Sequence, residues 1–162
     1  MKDDSDLMIA RLDGFLEALA AIDGATRERV FSAFTMDVDQ DDIASSLKQF
    51  FGDDAFLGVS TINQIIEWDS YLERELAQIT LNDLIGKGAG VGSSQLDERK
   101  RDVAFRIMDM ISFASEQQQP KCLFDVKARF GSANVETKFF ALHLGTRYLV
   151  LQFSGSEYLA PD

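Results

Sequence analysis

The chain has 162 residues, of which 46% are hydrophobic and 13 are Phe, so it can bury a core and is too apolar for general disorder. Its net charge of −11 and pI near 4.5 argue against nucleic acid as a direct ligand and against an anionic membrane surface, because phosphates would be repelled. The single cysteine, Cys122, excludes an intramolecular disulfide.

The organisation along the chain is that of one domain, residues 1–162. It divides into an acidic helical part (1–85), a Gly/Ser-rich loop (86–94) and a helix plus antiparallel sheet (95–162). No apolar run follows the polar residues after Met1, and no stretch approaches the roughly 20 apolar residues of a membrane span. We therefore expect a cytoplasmic protein.

Apolar residues at helical spacing predict about five helices, most of them N-terminal. Their starts are marked by the capping residues Ser5, Thr26, Asp39 or Asp41, Ser60 or Thr61, and Ser93 or Ser94. The first ends near Ile22, the third at Gly52, the longest near Ile85 and the fifth at 117–119. In the second, Val30, Phe31 and Phe34 would share one side.

The remaining residues, 121–153, predict a three-stranded antiparallel meander. Cys122 to Arg129 alternate with period two, and Val135–Leu144 and Arg147–Phe153 form a hairpin across Gly145-Thr146. In that register Phe140 faces Leu151, and Leu142 faces Leu149. The expected fold class is α+β, with the helices packed on this C-terminal meander.

The acidity lies almost entirely in the first half of the chain. Residues 1–85 hold 18 Asp+Glu against 6 Lys+Arg, a net of −12, whereas residues 86–162 hold 9 against 10, a net of +1. Such a division indicates a directed electrostatic surface, which speeds association with a cationic partner. Ordinary helix design also places carboxylates at helix starts and on solvent faces, which is the simpler interpretation of many of them.

The predicted partner-binding site combines carboxylates of this half with two aromatic residues that lie off the apolar stripe of the longest predicted helix. Aromatic residues among carboxylates form plausible hot spots for a basic partner. The alternative is that Trp68 packs against the sheet. The predicted site comprises Asp53, Asp54, Glu67, Trp68, Asp69, Tyr71, Glu73 and Glu75.

Three other motifs give weaker indications of function. The acidic run from Asp37 to Asp42 resembles the opening of a calcium loop, but Asp42 and Lys48 occupy the positions that need Gly and Glu. The alternating glycines of Gly86–Gly92 match neither a P-loop nor a dinucleotide fingerprint, and indicate a flexible connection. The basic run Arg99–Arg101 with Arg106 is typical of a salt-bridged, solvated helix face.

The function predicted from these features is an acidic protein-binding module that inhibits or neutralises a basic partner, such as a toxin, nuclease or nucleic-acid-binding protein. Immunity proteins and phage-type inhibitors with a nucleic-acid-mimicking surface behave in this way. One alternative is a small regulatory or assembly subunit that makes contact through its Phe-rich faces or an open strand edge. Another is an enzyme that uses Cys122 with His143, or carboxylates alone. We expect no metal, cofactor or catalytic residue.

Overall fold

The computed structural model describes residues 4–23, 30–40, 42–79, 93–115, 118–130 and 135–154. Within them the chain forms four helices: α1 (Asp4–Asp23), α2 (Ile43–Phe51), α3 (Trp68–Ile79) and α4 (Ser93–Ala114). It also forms five strands: β1 (Val30–Asp37), β2 (Phe56–Ile65), β3 (Leu123–Phe130), β4 (Val135–His143) and β5 (Arg147–Ser154). The strands make one antiparallel sheet in the order β1-β5-β4-β3-β2.

The chain is α+β, but the predicted arrangement of about five helices on a three-stranded meander was wrong. The sheet has five strands, and both edge strands come from the first half of the chain. β1 lies where the second helix was predicted, and β2 replaces the beginning of the longest predicted helix. The two edges therefore flank the three C-terminal strands on either side.

β1 was mistaken for a helix because both faces of the sheet are covered along it. Phe31 and Ala33 are buried in one core, whereas Met36 is buried in the core on the opposite face. A strand buried on both sides loses the simple alternation of apolar and polar residues. The apolar positions 30, 31 and 34 then imitate helical spacing.

β2 carries a composition typical of strands that the helical spacing concealed. Ile62, Ile65 and Ile66 fall at intervals of three and four, which is also the pattern of a helix. Val59, Thr61 and Ile62 are β-branched, however, and such residues are enriched in strands. The helix begins only at Trp68, after β2 has ended.

Three helices cover one face of the sheet, which we call the three-helix face. α1 packs against β1 and α4, and α4 packs against α3. The core beneath them contains Leu12 and Leu16 of α1, Leu72 and Leu76 of α3, and Ile107 of α4. From the sheet it includes Phe31, Leu123, Phe140, Leu142, Leu149, Leu151 and Phe153.

Only α2 among the described helices covers the opposite face, which we call the α2 face. Ile43 and Leu47 are buried there against Met36, Tyr148 and other sheet residues. The ring of Phe51 lies 4.9 Å from that of Phe130 at a steep angle, as favoured for aromatic pairs. α2 thus carries the chain from one edge strand, β1, to the other, β2.

The predicted register of the C-terminal hairpin is confirmed. Phe140 pairs with Leu151, and Leu142 pairs with Leu149. Gly145, the first residue of the turn, has φ +100°, a conformation that favours glycine. Both core-facing pairs point to the three-helix face.

Several predicted features lie outside the described residues. These are the Gly86–Gly92 segment, the start of the predicted second helix at Thr26, the end of the longest predicted helix near Ile85 and the tail beyond Ser154.

Candidate functional site

The two edge strands finish at the same end of the sheet. β1 ends at Asp37, opposite the first residue of β5, and β2 ends at Ile65. One row of paired residues connects these ends across the sheet: Ile65, Leu123, Leu142, Leu149 and Thr35. At about 4.8 Å between neighbouring strands, the row is roughly 20 Å wide.

Three helices begin at this same end. α2 follows directly after β1, and α3 follows directly after β2. The start of α1 is placed there by Arg147, whose Nη2 donates to the Oγ of Ser5 over 3.3 Å. Ser5 Oγ donates in turn to the carbonyl of Ala114, the last residue of α4, over 3.1 Å.

Carboxylates collect at these helix starts, because negative side chains are favoured near the positive end of a helix dipole. We call this part of the molecule the acidic end. Among the described residues, Arg147 and Lys121 are the cations near it. Its exposed carboxylates are Asp4, Asp6, Asp37, Asp42, Glu67 and Asp69.

Large apolar side chains are exposed at the acidic end as well. Ile66, between β2 and α3, is 66% exposed, and Leu7 in α1 is 50% exposed. Phe113, one residue before the end of α4, is 52% exposed. Apolar side chains beside polar ones are typical of surfaces that bind another protein.

Asp42 shows how one of these carboxylates is fixed. It caps α2 by accepting hydrogen bonds from the backbone N–H groups of Ala44 and Ser45, each over 3.3 Å. The Ser45 hydroxyl, which donates to the same carboxylate over 2.8 Å, is the main reason that the pKa of Asp42 is lowered. The acidic run that resembles a calcium loop therefore contains a helix cap, although the predicted cap was Asp39 or Asp41.

The predicted partner-binding residues do not form one patch. Glu67 and Asp69 lie at the acidic end, whereas Asp53 and Asp54 precede β2 at its opposite end. A strand of ten residues separates the two groups by about 30 Å. Asp53 lies 3.6 Å from the ammonium group of Lys48. The role of these residues in binding remains a prediction.

The two predicted aromatic residues, Trp68 and Tyr71, pack against the core of the three-helix face and are half-buried. Tyr71 also donates its hydroxyl hydrogen to the buried carboxylate of Asp125. Arg74 lies above its ring, 5.5 Å from the centroid. The alternative interpretation, in which Trp68 packs inward, describes its environment better than a freely exposed hot spot does.

Tyr71 belongs to a buried polar cluster between α3 and the sheet. Lys138 Nζ lies 3.5 Å from Asp125 and 3.3 Å from Glu75, so Glu75 is engaged within the fold. Burial, together with the hydrogen bond to Asp125, raises the pKa of Tyr71 well above its usual value. Glu73, in contrast, is exposed.

Cys122 and His143 are brought together by backbone pairing. The N–H of His143 donates to the carbonyl of Cys122 over 3.0 Å. The thiol is buried and accepts from Gln64 Nε2 at 3.6 Å. Nδ1 of His143 accepts from the N–H of Gly145 at 3.0 Å. The Cys122 thiol and the His143 imidazole therefore each have another partner. The enzyme alternative is not supported by a hydrogen bond between these two side chains.

In the part of the chain that the structure describes, no group of three or more His, Cys, Asp and Glu side chains is placed to hold a metal ion. None of the helices in that part is both long and apolar enough to cross a membrane.

The acidic residues that sequence reasoning missed are Asp4, Asp6, Asp37 and Asp42. Two of them flank a strand-to-helix connection, and the other two open the first helix. Recognition of β1 and β2 as edge strands that run in the same direction would have placed the starts of α2 and α3 at one end of the sheet. The signal that was overlooked is the β-branched composition of residues 59–65, which favours a strand.

The comparisons with known proteins give no identification: no family model matches this chain, and neither a curated protein nor a solved structure matches it significantly.

Proposed function

We propose that this protein is a protein-binding module that docks a basic partner on its acidic end, and thereby inhibits or neutralises that partner. The observation that carries the proposal is the coincidence of exposed carboxylates with exposed Ile66, Leu7 and Phe113 at one end of the sheet. Complementary charge sets the rate and orientation of association, while apolar contacts at the centre of an interface supply much of the affinity.

The charge distribution supports a basic partner over a neutral one. Among the described residues, six exposed carboxylates lie at the acidic end, against the two cations Arg147 and Lys121. Arg147 is itself engaged with Ser5 and faces Asp37 across the strands. A cationic protein surface would be attracted to this end and would approach it faster at low salt.

The test uses two double variants with the same change in charge at opposite ends of the molecule. Glu67→Gln with Asp69→Asn alters the acidic end, and Asp53→Asn with Asp54→Asn is the matched control. Each variant and the wild type captures proteins from lysate of the source at low and moderate salt, followed by quantitative mass spectrometry. Thermal unfolding checks that both variants fold.

We expect the wild type and the control to enrich the same basic protein, and the acidic-end variant to lose most of it. With the purified partner, Ile66→Ser should weaken binding without changing its salt dependence, since it removes apolar contact and no charge. Equal enrichment by all three proteins would contradict the proposal, as would failure to enrich any basic protein at either salt.

A second candidate is an assembly subunit that binds through the edge strand β2. This strand has ten residues, and Leu57 and Ile62 on it are 55% and 42% exposed. Edge strands present unpaired backbone groups to which another extended segment can add. Under this alternative both charge variants keep the partner, whereas Leu57→Ser with Ile62→Ser, which removes the exposed apolar side chains of β2, loses it.

A further inference from the structure

A groove between α3 and α4 has the opposite electrostatic character to the acidic end. Its volume is about 510 Å³, within the range typical of small-molecule sites. Its walls are polar on both helices. They comprise Ser70, Glu73, Arg74, Ala77 and Gln78 of α3 and Lys100 and Arg101 of α4.

Of the residues that the structure describes, three cations and one carboxylate line this groove, a local charge of +2 in a protein with a net charge of −11. Arg74 is held on one side by the ring of Tyr71. Among the described residues no carboxylate pairs with Lys100 or Arg101 within 4.0 Å. Within the described residues, the two helices therefore bring together positive charge that no ion pair at Lys100 or Arg101 neutralises.

We propose that this groove binds a small phosphorylated molecule. The guanidinium groups of Arg74 and Arg101 suit the oxygens of a phosphoryl group, and Lys100 adds a third positive donor. A phosphoryl dianion matches the local charge of the groove. Ser70 and Gln78 supply neutral hydrogen-bonding groups for the rest of the molecule, and the small side chain of Ala77 leaves space between the helices.

The overall negative charge of the protein does not prevent such binding. Ionic screening limits repulsion from exposed carboxylates to about 8 Å at physiological salt. Long polyanions such as nucleic acid would extend into the acidic surroundings, whereas a molecule that fits within about 510 Å³ remains among the cations. The groove shares no residue with the acidic end, so this inference is independent of the proposed function.

The experiment is calorimetric titration of the full chain with inorganic pyrophosphate at low salt. Lys100→Ala with Arg101→Ala removes two cations from the groove. Arg99→Ala with Arg106→Ala removes the same charge from exposed positions of the same helix that do not line it. Alanine favours helix, so both variants should fold, and thermal unfolding verifies this.

We expect submillimolar binding by the wild type and a loss of about tenfold or more in Lys100→Ala/Arg101→Ala, because charge-assisted hydrogen bonds are removed. The control should bind within about twofold of the wild type, since its charges lie outside the groove and are screened. Absence of binding by the wild type would overturn the proposal. Equal weakening in both variants would overturn it too, because it would show a general charge effect.

Discussion

The hydroxyl of Tyr71 makes a polar contact between two distant parts of the chain on the three-helix face. It joins α3 to Asp125 of β3, 54 residues later in the chain. Asp125 is buried, and its other charged partner is Lys138, at 3.5 Å. A buried carboxylate that loses a hydrogen-bond donor keeps its desolvation cost, so the Tyr71 hydroxyl should contribute measurably to the free energy of unfolding.

Tyr71→Phe should lower the free energy of unfolding by about 1–2 kcal/mol, because the aromatic packing stays and one charge-assisted hydrogen bond is lost. Urea denaturation at neutral pH measures this. A variant as stable as the wild type would show that Lys138 alone satisfies Asp125.

The same residue predicts a pH dependence. Since the pKa of Tyr71 is raised in the native state above its ordinary value of 10.0, the unfolded chain ionises first. This contribution to stability is therefore complete below pH 10 and declines as the pH rises above it. Urea denaturation on both sides of pH 10 should show a steeper decline for the wild type than for Tyr71→Phe. Parallel curves would contradict the raised pKa.

Sequence patterns could not reveal the environment of Tyr71. Its position off the apolar stripe indicates exposure, and the carboxylates around it suggest an interface. What decides its environment is the pairing of β3 with β4, which brings Asp125 and Lys138 beneath α3. Such contacts depend on the sheet topology and leave no local signal.

Among the elements, the turn of the β4–β5 hairpin and the middle of α1 each contain a glycine with open space around the position of a Cβ. Gly145 in the turn has φ +100°, whereas Gly14 lies in regular helix. The same substitution by Ala should therefore have opposite effects. Steric contacts are absent at both sites, so only backbone conformation distinguishes them.

Gly145→Ala should lower the free energy of unfolding by about 1–3 kcal/mol, since an L-residue is strained at that φ. Gly14→Ala should raise it by about 0.5–1 kcal/mol, because Ala restricts the unfolded chain and favours helix. Thermal and urea denaturation of the two variants measure both changes. Shifts in the same direction would contradict the turn conformation described for Gly145.

Elements in which apolar residues recur with one clear period could be predicted from the sequence. Elements whose apolar spacing fits both a helix and a strand could not. The alternation of residues 123–129 and the Gly-Thr turn predict the strands and their register. β1 and β2 failed because one is buried on both faces and the other has isoleucines at helical intervals. For β2 the composition held the correct answer, since Val, Ile and Thr favour strands.

Over the whole molecule, two hydrophobic cores share one sheet. Leu47 of α2 is fully buried on the α2 face, and the single tryptophan, Trp68, packs on the three-helix face. The same strands contribute side chains to both cores. Unfolding of the sheet therefore exposes both cores at once. The two faces should unfold as one cooperative unit.

Leu47→Ala should lower stability by about 2–5 kcal/mol through the cavity it leaves on the α2 face. The fluorescence of Trp68 on the opposite face should report the same midpoint as far-UV circular dichroism. If that variant fails to fold, Ile43→Val offers a milder change of about 1 kcal/mol. Separate midpoints for the two signals would show that the faces unfold independently.

For the whole molecule, the net charge could be predicted from the sequence, but the positions of the carboxylates on the surface could not. The net −12 of residues 1–85 indicates an acidic surface, but four of the six predicted carboxylates lie elsewhere than at the acidic end: Asp53, Asp54, Glu73 and Glu75. Asp37 joins Glu67 there because the two edge strands run in the same direction and end on one side of the sheet, and Asp4 joins them because α1 begins at that end. Sequence distance does not encode that convergence.

The strand order has a consequence for the protein during its synthesis. Among the described strands β1 pairs only with β5, so the hydrogen bonds between residues 30 and 154 cannot form until residue 154 has been synthesised. Throughout that interval the N-terminal part of the chain holds apolar strands without their neighbours, a condition that favours association between nascent chains. The −12 charge of residues 1–85 opposes this association by mutual repulsion. The same carboxylates thereby reduce aggregation of the growing chain before the sheet is complete.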